Sequence, residues 1–378
     1  MKANTSSRKM RIAVMFGGRS GEHDVSLMSA RSVLSVLDAG RYDVIQVGIT
    51  REGLWVAGED VLQQLEMNRS DGLQKIFFSP EPGSSQIFLY RSKQTGIELE
   101  GLPNVDVYFP VLHGTFGEDG TLQGLLELAD VTYVGAGVTG SAVGMDKVVF
   151  KDVMRAQGIP VIDSVVALRS EVENDIEAVI RKAEQMGSYP FFTKPANLGS
   201  SVGITKCLTP SDLGEGLMEA VRYDRRILIE KGIDHVREIE ISVLGNDDPQ
   251  ASVPGEVLPS REFYSYESKY IDGTSGLVIP AKLPSNLTEK IRAYAIQAFK
   301  AIDCAGMARV DFFVEKDSET VYLNELNSIP GFTQISMYPK LWEASGIAYP
   351  VLVEKLIDLA FERKRDRNRT EHGFQRNA

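Results

Sequence analysis

The chain has 378 residues, 43% apolar and 25% charged, an ordinary balance for a globular protein large enough for two or three domains. Its 52 acidic residues outnumber 41 Lys and Arg, and the net charge of −11 excludes a general nucleic-acid binder, because a phosphate backbone calls for a basic face. Cys207 and Cys304 lie far apart without metal-type spacing, so they read as reduced, buried thiols of a cytosolic protein.

The apolar run at residues 12–16 is too short for the core of a signal peptide, and Gly17 and Gly18 break it at once. No run approaches the roughly 20 apolar residues of a membrane span, so a cytoplasmic protein without a membrane partner is expected. From this first strand, RIAVMFGG, the chain alternates: a helical stretch after Asp24, the strand YDVIQVGIT, the strand VDVYFPVLHG, and a helix from about Glu118 to Leu128. Strands alternating with helices predict a parallel sheet with crossover helices. Residues 50–105 interrupt the alternation and read as a polar, irregular insertion holding a hairpin or two, with no function assigned.

A second unit begins near Met145 with the helix KVVFKDVMRAQ, then the strand YPFFTKPA, the turn NLGSSVG and the strand RRILIEKGI. From about Asp234 strands dominate: REIEISVLG, the segment 254–284, a helix over 287–302, two strands within MARVDFFVEKDSETVYLNELNSIPGFT, and a closing helix YPVLVEKLIDLAFER. The first ten residues and the tail FERKRDRNRTEHGFQRNA are polar and read as poorly ordered. Three α/β modules are expected, with boundaries at 1–144, 145–233 and 234–378.

The two strands near the end carry the strongest chemical signal. Successive side chains of a strand alternate faces, so Arg309 and Asp311 share one face, and so do Glu325 and Asn327. Paired as a hairpin, the strands bring three oxygen donors and a guanidinium together, a set that suits Mg²⁺ and the phosphates of a nucleotide. In GGRSGEHDVS the paired glycines precede a helix N-terminus, where anions are favoured. A dinucleotide loop is disfavoured, because the third glycine is missing and Glu22 would face a pyrophosphate. A carboxylate there suits an ammonium group such as that of an amino acid, while Asp24 and Ser26 read as plain helix caps.

HGTFGEDGTLQG has four glycines in twelve residues, a backbone-rich turn whose Glu118 and Asp119 are expected to cap the next helix. His113 at its start reads as either a structural hydrogen-bonder or a catalytic group. Lys147 and Lys194 flank the flexible, hydroxyl-lined NLGSSVG, which is what phosphate oxygens require, although no Walker A pattern is present. ILIEKGI is expected to offer a strand edge to adenine, and Glu238 to accept from ribose hydroxyls. FYSYESKY, at 263–270, reads as a long functional lid that keeps water from a reactive acyl phosphate.

Together these motifs resemble the D-alanine:D-alanine ligases of bacterial cell-wall synthesis, members of the ATP-grasp fold, from Arg11 to about Ala360. HGTFGEDGTLQG and RVDFF…LNELNSIPG are similar to that family's two signature motifs in order and spacing. The resemblance implies an α/β, ATP-grasp architecture of three α/β domains, the N-terminal one a parallel-sheet, Rossmann-like pre-ATP-grasp domain. It implies ATP-dependent joining of two D-alanines through an acyl phosphate, with two Mg²⁺ or Mn²⁺ ions, in a cytoplasmic homodimer. Glu22 and His113 would bind the first D-alanine, Glu22 being linked through Ser200 to Tyr270 of the lid. Lys147, Lys194, Ser201 and Lys269 would hold ATP phosphates, and Glu230, Lys231, Ile233 and Glu238 would surround adenine and ribose.

On the same resemblance, Asp311, Glu325 and Asn327 would hold the metal ions, Arg309 and the N–H of Gly331 would form the oxyanion site, and Ser336 and Met337 would bind the second D-alanine's carboxylate. NLGSSVG lacks the arginine that some relatives carry there. Three rivals remain: a D-alanine:D-lactate ligase, which Tyr270 argues against; an ATP-grasp carboxylase, which needs neither FYSYESKY nor Glu22; and a non-catalytic nucleotide sensor, which has no use for metal ligands beside oxyanion donors.

Overall fold

The computed structural model describes residues 8–258, 276–371 and 373. The first sheet is built on β1 (Met10–Gly17), followed by helix α1 (His23–Leu34), β2 (Tyr42–Ile49), β3 (Trp55–Gly58), helix α2 (Val61–Glu66), β4 (Gln74–Phe78), β5 (Ile87–Lys93), β6 (Gly96–Gly101) and β7 (Val107–Pro110). The strand order is β6-β5-β4-β3-β2-β1-β7, with β1 parallel to both β2 and β7. Parallel strands are covered on both faces, which is why β1 runs apolar and buried from Ile12 to Gly17 after Arg11.

Residues 50–105 hold the expected hairpins, β4/β5 and β5/β6, but are not irregular. They form β3 to β6, which extend the first sheet by antiparallel pairing outward from β2. Beyond β7 come α3 (Thr121–Leu128), α4 (Val138–Met145) and α5 (Lys147–Ala156). The first of these starts later than the sequence predicts, because Gly120 at φ +89° occupies its N-cap in a conformation that favours glycine.

The second sheet contains β8 (Ser164–Leu168), β9 (Phe191–Pro195), β10 (Thr205–Cys207) and β11 (Arg226–Lys231), in the order β10-β9-β11-β8. Helices α6 (Arg169–Glu184) and α7 (Pro210–Ala220) pack against it around Phe191, Leu213, Leu217 and Ile227. Thr209 and Asp212 cap the start of α7 reciprocally, with Pro210 at the first helical position. β11 lies between β9 and β8, so the expected free edge of ILIEKGI is absent.

The third sheet, β15-β14-β12-β16-β17, comprises β12 (Val236–Gly245), β13 (Gln250–Ala251) paired to its end, β14 (Gly255–Leu258), β15 (Gly276–Val278), β16 (Gly306–Glu315) and β17 (Val321–Asn327). Helices α8 (Ser285–Ala301), α9 (Met337–Ala344) and α10 (Tyr349–Arg367) accompany it. Ile239 and Ile241 of β12 and Val310 and Phe312 of β16 meet Ile291, Ala295 and Phe299 of α8 in one core. By strand alternation the residues between them, Glu238 and Glu240 on β12 and Arg309 and Asp311 on β16, turn to the opposite face. A different core joins the ends of the chain: Leu352, Val353 and Leu356 of α10 pack with Ile12, Val14 and Phe109 of the first sheet.

Candidate active site

The hairpin of β16 and β17 places Arg309 opposite Asn327 and Asp311 opposite Glu325, and a register shift follows at Asp311/Phe312. Nε and Nη2 of Arg309 donate to the two oxygens of Asp311 at 2.8 and 2.7 Å, a bidentate fork. Its Nε also lies 3.0 Å from Oε2 of Glu240, the residue paired with Asp311 across β12. The Asn327 amide donates to Asp311 at 3.2 Å. Two carboxylates and an amide oxygen on one small patch, with no histidine or thiol among them, form a donor set that fits a hard divalent cation.

Glu22 stands between β1 and α1 and is only 8% exposed. Its N–H donates to Ser20 Oγ at 3.1 Å, and that hydroxyl donates to the carbonyl of His113 at 2.9 Å. The Ser200 hydroxyl donates to the Glu22 carboxylate from the NLGSSVG loop. The loop comes this near because residue 199 is glycine: a Cβ there would stand 2.6 Å from Glu22 Oε2. Expected as helix caps, Asp24 and Ser26 are not: α1 starts without a side-chain cap, and Ser26 instead accepts from Gly17 N and donates to the Val111 carbonyl.

His113 is buried between two partners, Ser29 Oγ and the Ile329 carbonyl, each at 2.8 Å, and burial holds its imidazole below the usual value. Of the two residues expected to cap α3, Asp119 accepts from Thr121 N at 3.1 Å, whereas Glu118 turns inward. Its two oxygens accept from Gly114 N at 2.9 Å and Ile329 N at 2.8 Å. Burial, with the charge of Glu22 nearby, pushes the Glu118 carboxyl up to about 8, against the opposing pull of those amides and of Arg309. Ser29 also accepts from Phe332 N at 3.2 Å. Thus Ser29, His113 and Glu118, all beside the first sheet, grip residues 329–332 on either side of Gly331.

Two cavities meet at this centre. One, of about 60 Å³, is walled by Glu22, His113, Ser200, Arg309, Asn327 and Gly331. The other, of about 440 Å³, lies between the second and third sheets, with Lys194, Glu230, Lys231, Ile233 and Glu238 along it. Lys147, Ser201, Ile204 and Glu325 belong to both. Lys147, the first residue of α5, donates to the Leu198 carbonyl at 2.7 Å and lies 4.0 Å from Glu325. Lys194 pairs with buried Glu230, which a second lysine, Lys151, also meets at 2.6 Å. Burial alone would raise the Glu230 carboxyl; the two ammonium groups outweigh it and bring it to about 2.

The structure therefore gathers most of the residues expected from the sequence. Asp311 sits behind Arg309 and lines neither cavity. Ser336 and Met337 also line neither: Ser336, at the N-cap position of α9, turns its hydroxyl back to Thr333, accepting from its N–H at 3.2 Å and lying 2.7 Å from its Oγ1, and Met337 packs against Val257 and Leu341. Lys269, Tyr270 and the lid FYSYESKY lie outside the described residues. Sequence reading missed Ser29, Lys151 and Glu240 and misassigned Glu118. For Glu240 a signal was present, since strand alternation puts it on the face of Glu238.

A four-stranded sheet with two helices faces a larger antiparallel sheet across the 440 Å³ cavity, the arrangement of an ATP-grasp ligase, which the likeness to solved ligases bears out. Two family models match the chain: "D-ala D-ala ligase N-terminus" over residues 11–136 and "D-ala D-ala ligase C-terminus" over residues 153–358. The chain is 52% identical over 358 residues to the D-alanine–D-alanine ligase of Thermoanaerobacter sp., covering 94% of this chain and 97% of that one. It is 48% identical over 374 residues to that of Acetivibrio thermocellus, covering 95% and 97%. Among solved structures it is similar to the D-alanine-D-alanine ligase from Coxiella burnetii, at 36% identity and TM-score 0.80 over 96% of each chain. It also resembles the D-Ala:D-Ser ligase from Enterococcus faecalis, at 34% identity and TM-score 0.81 over 93% of this chain and 100% of that one. The chain belongs to the D-alanine–D-alanine ligase family, and it is an ATP-dependent ligase.

Proposed function

We propose that the chain joins two D-alanine molecules into D-alanyl-D-alanine at the expense of ATP, supplying a peptidoglycan precursor, with ATP in the larger cavity and the first D-alanine in the smaller. The observation that carries this reading is the wall the cavities share, Lys147, Ser201, Ile204 and Glu325, which lets a nucleotide in the larger cavity face an amino acid in the smaller. Glu22, tied to Ser200, receives the ammonium of the first D-alanine beside His113. The carboxylate of that D-alanine attacks the terminal phosphorus of ATP, ADP leaves, and a D-alanyl phosphate forms. The amine of the second D-alanine then attacks the acyl carbon, and the tetrahedral oxyanion collapses to dipeptide and phosphate.

Lys147, Lys194, Ser201 and Lys269 steady the phosphates; Glu230, Lys231, Ile233 and Glu238 flank adenine and ribose. Arg309 and the N–H of Gly331 hold the oxyanion, where preorganised donors do most for the rate. Tyr270 closes the relay from Glu22 and Ser200, and Ser336 with the backbone at Met337 receives the carboxylate of the second substrate. Asp311, Glu325 and Asn327 would hold two Mg²⁺ or Mn²⁺ ions, whose chemistry there is charge neutralisation: unit charges about 4 Å apart interact by about 4 kcal/mol at an effective dielectric near 20. We assign residues 1–144 to a substrate-binding domain and 145–233 and 234–378 to the two halves of the nucleotide grasp, in a cytoplasmic homodimer. Among the described residues no helix is long and apolar enough to cross a membrane.

The test is phosphate release from ATP, expected only when D-alanine and Mg²⁺ are both present, with chromatography of the product against D-alanyl-D-alanine and D-alanyl-D-serine. Release of phosphate independent of D-alanine, or no dipeptide, would overturn the reading.

A further inference from the structure

Helix α5 carries two lysines one turn apart, on the same side of the helix by the i, i+4 rule. Lys147, at its first residue, reaches the shared wall of the cavities. Lys151 goes elsewhere. Its side chain is only 2% exposed, it lines neither cavity, and its ammonium lies 2.6 Å from Oε2 of Glu230, which is equally buried. The other oxygen of Glu230 takes the ammonium of Lys194, which does line the larger cavity. A chain Lys151–Glu230–Lys194 thus runs from the helix through β11 to β9.

The start of α5 is fixed to the same sheet. Asp146 accepts from Val148 N and Val149 N at the helix N-terminus, takes the Asn197 amide at 2.8 Å and pairs with Arg226 of β11. Lys151 therefore approaches Glu230 from an element that cannot slide. Apolar residues of similar volume replace buried ion pairs with little or no loss of stability in many proteins, so stability by itself does not account for a lysine here. Placement of the carboxylate does. Glu230 meets one lysine through each oxygen, and although burial works against the Lys151 charge, Glu230 supports it; the end of the chain that reaches the cavity is Lys194.

We propose that Lys151 is a positioning residue for the nucleotide: it holds one oxygen of Glu230 and so fixes the carboxylate that aims the Lys194 ammonium into the larger cavity. This rests on reading that cavity as the ATP site. Lys151 has no route to the amino-acid cavity, so its removal acts on ATP and not on D-alanine.

The test is calorimetric titration of the full chain with ATP, alongside steady-state kinetics in both substrates. A parent chain that binds no ATP would refute the nucleotide site and not Lys151's role within it. With binding in the parent, Lys151→Met is expected to weaken ATP about tenfold or more, the scale seen when outer partners of a binding group are removed, and to leave the KM for D-alanine within about twofold. An ATP affinity within about twofold of the parent, or an equal rise in both KM values, overturns the proposal. Where Lys151→Met fails to fold, Glu230→Gln is compared with the double variant Lys151→Met/Glu230→Gln. If Lys151 acts through Glu230, these two bind ATP alike; a further loss of about tenfold in the double variant shows an independent role and overturns the proposal.

Discussion

Ser200, on the loop after β9, donates its hydroxyl to Glu22, 178 residues earlier and just ahead of α1. One hydrogen bond thereby ties the loop that lines both cavities to Glu22, the residue proposed to receive the amino acid. A hydrogen bond to a charged group is worth about 1.5–3 kcal/mol, so Ser200→Ala is expected to lower kcat/KM for D-alanine by about 10- to 100-fold. ATP binding measured without D-alanine should change little. Equal losses for both substrates would make the contact a structural tie only.

Arg309 is held in place by carboxylates on two strands, Asp311 on its own and Glu240 on β12. Arg309→Ala is expected to reduce turnover by about 10²- to 10³-fold or more, the range for loss of one oxyanion donor. Lysine is not a substitute, since it cannot reproduce the two-pronged contact with Asp311 that sets the orientation. Removing the guanidinium also leaves two largely buried carboxylates facing each other, so a lower unfolding temperature is expected. Near-normal turnover in folded Arg309→Ala would remove this residue from the oxyanion site.

What could be read from the sequence follows the reach of each interaction. The pairs Arg309/Asp311 and Glu325/Asn327 were legible because strand alternation is a local rule. Glu118 was not: it was expected to cap α3, but its partner is the amide of Ile329, 211 residues away, and Gly120 turns the chain between it and the helix. Lys151 looks like any lysine on an amphipathic helix until Glu230 is brought opposite it. β6 alternates Ile97 and Leu99 with Glu98 and Glu100, a strand pattern that a polar stretch of only six residues made easy to pass over, and it is exposed along its whole length, so its place at the sheet edge shows only in its pairing with β5. The edge expected of β11 failed for the same reason, since strand order within a sheet is set by distant pairing.

Glu118 gives a pH dependence whose sign can be worked out. Its ordinary value is 4.5 and burial, with Glu22 beside it, raises it to about 8 in the folded chain. Between those values the folded protein holds a proton that the unfolded chain has released, so stability falls as pH rises through that window. Below the lower value the contribution is complete, and above the higher it is gone. Glu118→Gln cannot titrate, so its curve of unfolding temperature against pH is expected to be flatter than the parent's across the window. Parallel curves would mean that Glu118 is already ionised throughout.

Phe332 follows Gly331, the proposed oxyanion donor, and packs in the core that joins the first sheet to α10. Its ring is fully buried, with the ring centres of Tyr349, Tyr338 and Phe109 at 5.5, 5.7 and 6.3 Å. Its backbone is held at both ends, the N–H by Ser29 at 3.2 Å and the carbonyl by the Tyr349 hydroxyl at 2.7 Å. Phe332→Ala leaves a cavity among aromatic rings and is expected to cost about 3–5 kcal/mol in urea unfolding. Gly331 is the residue before Phe332, so if its N–H holds the oxyanion as proposed, turnover should fall by a larger factor than ATP affinity, which the proposal places on β9 and β11. A variant that loses stability but keeps full turnover would show that Ser29, His113 and Glu118 hold the loop without the ring's help.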